Sequence, residues 1–140
     1  MNAKEYLQQA QKIDRVVKSK MEQLARLEAI ATSATPTFSN TGGGKHDDSK
    51  GSKLENQVIG IIELRDSIAR KAAELIKVRA TITKVIDSIN SLTHQYVLEE
   101  RYLNYKSWDS IGEETGFSKD YLYRLHRDGL HMVEVVLSKK

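Results

Sequence analysis

The feature that most limits how this chain can fold lies between Leu54 and Leu92. Ile61, Leu64, Ile68, Leu75, Val78, Ile82, Val85, Ile89 and Leu92 recur at alternating three- and four-residue steps, with Lys71 the one polar residue in the series. That spacing draws a narrow apolar seam down one long helix. Val58, Ile62, Ala72, Ile76 and Ile86 widen the seam on one side. A stripe covering more than four heptads has to be covered by a partner along its whole length.

A partner stands upstream in the chain. Ala3, Tyr6, Ala10, Ile13, Val17, Leu24, Leu27 and Ala31 keep the same alternation, with Lys20 out of character, so residues 3–34 are expected to form a first helix. It should fail at Thr35–Pro36, because proline disfavours α conformation in the residue before it. Residues 35–53, TPTFSNTGGGKHDDSKGSK, hold one large apolar side chain, Phe38, among Gly, Ser, Thr, Asn and Asp. Such a composition cannot offset the entropy of ordering, and it reads as a flexible linker. His46, Asp47 and Asp48 are adjacent ligand types with no companion at a second spacing, which suits a solvated loop better than a metal site.

The linker is long enough for the first helix to fold back antiparallel on the second. At 1.5 Å per residue the two would measure about 48 Å and about 58 Å, leaving apolar surface uncovered on the longer one. That surplus predicts a homodimer or a bundle. Whether the two helices pair within one chain or between two is open at this point.

Asn90, Ser91 and Thr93 interrupt the second helix, and Thr93 is a candidate cap for a third one carrying Tyr96, Val97, Leu98, Arg101, Tyr102 and Leu103 to about Asn104. The stretch that follows, Tyr105 to Leu130, has the grammar of two short helices and a tight turn. Ser107 caps the first, with Trp108, Ile111 and Thr115 on its inner side; Gly112 allows close backbone approach. Gly116 supplies a left-handed turn, Phe117 faces the core, and Ser118 caps the second helix, whose Leu122, Leu125 and Gly129 recur at three and four. This is the geometry of a helix-turn-helix.

By angle, Lys119, Asp120, Tyr123, Arg124 and Arg127 fall within an arc of about 140° opposite Leu122, Leu125 and Gly129. Arg and Lys can address guanine O6/N7 or phosphate, and Asp120 can accept from cytosine N4. With Lys106, Ser107 and Ser118 at the helix starts, these residues are the candidate contacts to double-stranded DNA. The expected architecture is all-α: a long antiparallel helical hairpin or coiled coil over residues 1–92, then a helix-turn-helix domain over residues 93–140.

The residues of that domain resemble region 4 of bacterial sigma factors, and within that group the short phage-encoded regulators of the RinA and ArpU kind. The resemblance is carried by Glu100–Arg101–Tyr102–Leu103, by Ser107–Trp108–Asp109–Ser110–Ile111–Gly112–Glu113–Glu114, by Gly116–Phe117–Ser118 and by Leu122–Tyr123–Arg124–Leu125–His126. It covers about a third of the chain. It implies transcriptional control of phage or prophage genes in a host bacterial cytoplasm, with RNA polymerase as a further partner, and it places Lys119, Asp120, Tyr123 and Arg124 against bases or backbone. Four positions depart from the sigma pattern: Gly112 for alanine, Thr115 for an apolar residue, and Asp128–Gly129 for a basic–alanine pair. A region for the −10 element has no counterpart here.

Charge qualifies that expectation. The net charge is +3, from 22 basic and 19 acidic residues, and residues 93–140 hold seven Lys or Arg against eight Asp or Glu. A single copy therefore neutralises few phosphates, and useful affinity is expected from a dimer or from a second contact on the polymerase. Two alternatives share parts of the pattern. A small terminase-like packaging subunit combines the same elements but usually in the opposite order; a helical protein–protein adaptor would use the acidic Glu99, Glu100, Glu113 and Glu114.

Enzymatic function has little to stand on. There is no Gly-rich phosphate loop, no nucleophile with a matched base and no acidic cluster for two metals, and no cofactor is expected. Ser118 and His126 are eight apart on one helix, too far for a dyad; His126 and His131, five apart, point to different sides. The chain has no cysteine, which suits a reducing cytoplasm. Charged residues from Lys4 to Arg15 break any leader-like run, and Val58–Ile62 is far short of a membrane span.

Overall fold

A computed structural model of the chain describes residues 1–34 and 48–139. Among them every regular element is a helix: α1 (Ala3–Ala34), α2 (Asp48–Asp87), α3 (Leu92–Tyr102), α4 (Trp108–Thr115) and α5 (Lys119–Ser138). No helix among the described residues is long and apolar enough to cross a membrane.

The boundaries adjust the sequence expectation at both ends of the second helix. α2 begins at Asp48, so residues 48–53 are helical, while 35–47, with His46 and Asp47, lie outside the described residues. At the other end α2 stops at Asp87, and Leu92 opens α3 with 81% of its surface exposed instead of closing the seam. The cap of α3 is Ser91 and not Thr93: the Ser91 hydroxyl accepts from the His94 amide at 3.4 Å. Gln95 secures the break from below, its Nε2 donating to the carbonyls of Asp87 and Ile89, which the helix no longer satisfies.

The chain divides into two compact units, one formed by residues 1–14 and 74–140 and the other by 15–73. In the first, Ala3, Leu7 and Ala10 of α1, Ile82, Val85, Ile86 and Ile89 near the end of α2, Leu98, Tyr102 and Leu103 of the α3 region and Val133 of α5 form one buried cluster. Leu7 is fully buried, although it lies off the three-four series; it fills the flank between Ala3 and Ala10. Small residues recur where helices meet. A Cβ on Gly129 would come within 3.2 Å of the Leu98 side chain, so glycine lets α5 lie directly on α3 at this point. The helix penalty of a glycine, about 1 kcal/mol, is thereby offset by close packing.

In the second unit the seam residues Leu24, Leu27, Ile61, Leu64 and Ile68 are half-buried. Val17 is the one buried apolar side chain among the described residues of this unit. Arg65 donates to Glu28 at 2.6 Å, tying α2 to α1, and Arg70 pairs with Asp66 one turn away at 2.6 Å.

Candidate nucleic-acid interface

The pair α4–α5 is built from short-range signals. Ser107 accepts from the Ser110 amide at 3.1 Å, which starts α4. Gly116 ends it in the left-handed region, φ 77°, with its N–H on the Gly112 carbonyl. A side chain would be strained at that φ, and glycine adopts it without strain. Thr115 has a part that its inner position did not foretell. Its hydroxyl donates to the Ile111 carbonyl at 2.7 Å and accepts from the Phe117 amide at 3.1 Å, so it closes the turn. Ser118 then accepts from the Tyr121 amide at 3.2 Å and starts α5. Gly112 is held close as expected: a Cβ there would lie 3.3 Å from the Phe117 carbonyl oxygen.

Beneath the turn, Ile111, Leu122, Leu125 and Val97 form a second buried cluster, flanked by Trp108 and Phe117. Burying Leu122, Leu125, Gly129 and Val133 leaves the opposite side of α5 outward. Lys119, Asp120, Tyr123, Arg124 and Arg127 are all exposed there, at i, i+4 intervals along the helix. Tyr123 meets the Trp108 ring edge-on at 5.7 Å, and Arg124 lies 5.9 Å over the ring of Tyr121. Among the described residues the nearest carboxylate to Arg127 is Asp128, at 3.8 Å.

The remaining candidates are placed differently. Ser107 and Ser118 are exposed, and their oxygens are occupied as caps. Lys106 is drawn inward. Its Nζ lies 2.5 Å from the nearly buried Glu100 Oε2 and 2.8 Å from Glu114 Oε2, and these two carboxylates hold its pKa well above the ordinary lysine range. Lys119 Nζ pairs with Asp109 of α4 at 2.7 Å, and that hydrogen bond raises its pKa.

A second group joins the three helices behind this face, and sequence spacing had not brought it together. Tyr102 Oη lies 2.5 Å from His126 Nε2 with the rings stacked at 5.7 Å. Trp108 meets His126 edge-on at 4.8 Å, and the Arg101 guanidinium sits 4.9 Å over the Trp108 ring while donating to the Lys106 carbonyl at 2.9 Å. Burial, with the charges of Lys4 and Arg101, pushes the His126 pKa down to about 4, and burial pushes the Tyr102 hydroxyl up to about 12. The imidazole is therefore neutral near pH 7 and accepts from the phenol. No local periodicity announces this cluster, because its members come from α3, α4 and α5.

The loop ahead of α4 is pinned from α2. Arg79 donates to the Leu103 carbonyl at 2.8 Å and to the Tyr105 hydroxyl at 2.9 Å, and its guanidinium lies 5.6 Å over the Tyr105 ring. Tyr105 itself has φ 59°, a left-handed conformation that a non-glycine residue keeps only when its surroundings enforce it.

A family profile described as a protein of unknown function, DUF1492, matches residues 39–134. The chain belongs to that family. The matched span of DUF1492 takes in α2, α3, α4 and most of α5, including all the outward residues of α5 described above. No curated protein and no solved structure matches the chain.

Proposed function

We propose that this member of DUF1492 is a DNA-binding transcriptional regulator of the phage type, with α4–turn–α5 as a helix-turn-helix and α5 as the helix that enters the major groove. The observation that carries the reading is the division of α5 into a buried apolar side and an exposed side holding Lys119, Asp120, Tyr123, Arg124 and Arg127. Arg124 and Arg127 are the cations best able to reach guanine or phosphate, and Asp120 can accept from cytosine. The cap hydroxyls of Ser107 and Ser118 accept from backbone amides and keep their own protons to donate to a phosphate. Lys106, held by Glu100 and Glu114, stands outside the contact set.

On the described α5 face Lys119 is already paired and Arg124 and Arg127 are the remaining cations, so a second contact is called for. Val16, Met21, Ile30, Val58, Ile59 and Ile62 of the second unit are exposed, and an apolar surface of that kind suits a homodimer that reads two half-sites. Host RNA polymerase is the other source of a second contact.

Selection of duplexes from a random pool, with and without RNA polymerase, tests this. The expected result is an enriched site of two half-sites about 10 base pairs apart. Replacing Arg124 and Arg127 together by alanine should lower affinity for that site by at least about 30-fold, on a scale of 1–3 kcal/mol per good base contact, while leaving helix content unchanged. A pool that shows no enrichment under either condition defeats the reading.

A further inference from the structure

The cations of the α5 face differ in what they already hold. Among the described residues Arg127 has no carboxylate closer than 3.8 Å, and Arg124 lies over an aromatic ring. Lys119 instead donates to Asp109 Oδ1 at 2.7 Å, so an acid of α4 occupies a cation of α5 on the side proposed to face DNA. Lys106 is also held by carboxylates, but one of them is the nearly buried Glu100, and that arrangement is not built to exchange. The Asp109–Lys119 pair is. Its side chains are 71% and 60% exposed, and ion pairs open to solvent contribute little to folding and form and break readily.

A duplex phosphate reaching Lys119 has to displace Asp109, and the released carboxylate then stands near the polyanion. The gain of one phosphate contact is reduced by the pair that is lost and by the like charge left behind. We propose that Asp109 is an internal competitor for DNA: it occupies Lys119 in the free protein and thereby lowers affinity for duplexes in general. This rests on the reading of α5 as the DNA-facing helix. The role of Asp109 is to set background binding, so that the contacts of Tyr123, Arg124 and Arg127 decide which duplex is kept.

The test measures binding of the full chain to a labelled random-sequence duplex across a salt series. One phosphate contact made available steepens the log–log salt dependence by about 0.9, which corresponds to about fivefold tighter binding at about 0.15 M salt. Asp109→Asn should show that gain, and Asp109→Ser should reproduce it if the asparagine variant loses helix content. Glu113→Gln removes a charge from the same helix and leaves the pair in place; it should change affinity by less than about twofold. Lys119→Ala removes the cation and leaves the Asp109 carboxylate uncovered, so it should weaken binding, and in that background Asp109→Asn should recover no more than the roughly twofold effect of Glu113→Gln. The inference is overturned if Asp109→Asn does no more than Glu113→Gln, or if its full gain of about fivefold survives in the Lys119→Ala background. A wild-type chain and an Asp109→Asn variant that both bind no duplex overturn the DNA reading itself, a result distinct from wild-type binding that is merely insensitive to Asp109.

Discussion

The two compact units use the same kind of helix to different ends. The unit of residues 1–14 and 74–140 buries Leu7, Ile82, Ile86, Leu98, Ile111, Leu122, Val97 and Val133 almost completely, because four helical segments converge on one cluster and three on the other. The unit of residues 15–73 has two helical segments, and two helices can shield a seam but not enclose a core. Its seam residues Leu24, Leu27, Ile61, Leu64 and Ile68 are only half-buried, and Val58, Ile59 and Ile62 are exposed outright. The difference teaches that an apolar heptad pattern states where a seam will be, while the number of helices meeting there decides how dry it becomes. Stability should therefore be concentrated in the first unit.

The largest expected effect comes from cutting into each unit at an equivalent residue type. Leu98→Ala removes a fully buried side chain that lies against Gly129, and should destabilise the first unit by about 2–5 kcal/mol. Leu24→Ala in the second unit, where the leucine is half-buried, should cost about 1 kcal/mol or less. Urea unfolding can follow the units separately, since the single tryptophan, Trp108, reports the first and far-ultraviolet circular dichroism reports all helices. Equal losses for the two leucines would erase the distinction.

A smaller effect separates the units by pH. His126 has a pKa near 4 in the folded chain against 6.5 when unperturbed, so the unfolded state takes up its proton first as pH falls. The contribution of the neutral imidazole is fully present above pH 6.5 and is lost between there and about pH 4. It should amount to on the order of 2 kcal/mol once partial contact with solvent is allowed for. His126→Gln keeps an acceptor for Tyr102 and should flatten that part of the profile seen by Trp108 fluorescence. A profile that the variant leaves unchanged would show that another group carries the acid sensitivity.

The smallest effect belongs to the second unit. Arg65 and Glu28 form a short pair, but their side chains are 63% and 41% exposed. Arg65→Ala should shift helix melting by no more than about 0.5 kcal/mol, and half-molar salt should abolish even that difference. A loss above 1 kcal/mol, measured in the same urea series, would mean that this unit depends on polar links more than its open seam suggests.

Much of the local structure is legible in the sequence alone. Ser107 and Ser118 as caps, Gly116 as a left-handed stop and the apolar seams of α1 and α2 follow from preferences that act within a few residues. The boundaries were harder. Ser91 and Thr93 are both good caps, and the choice between them depends on Gln95 reaching the freed carbonyls of Asp87 and Ile89. Leu92 fitted the seam by spacing alone, yet the chain breaks before it and turns it outward. In the candidate interface, helical angle placed Lys119, Asp120, Tyr123, Arg124 and Arg127 on one exposed face, but the engagement of Lys106 and Lys119 by carboxylates was invisible, since it joins side chains of different helices.

By itself, then, the sequence determined that the chain is helical, where its turns fall and which side of α5 is polar, because backbone propensity, capping and periodicity are short-range effects. The tertiary structure decided which charges remain available, that Gly129 admits Leu98, that Leu7 completes a core with residues more than seventy positions away, and that Tyr102, Trp108 and His126 share one cluster. Those outcomes depend on which helices are packed together, and packing partners leave no periodic trace in either of the segments they join.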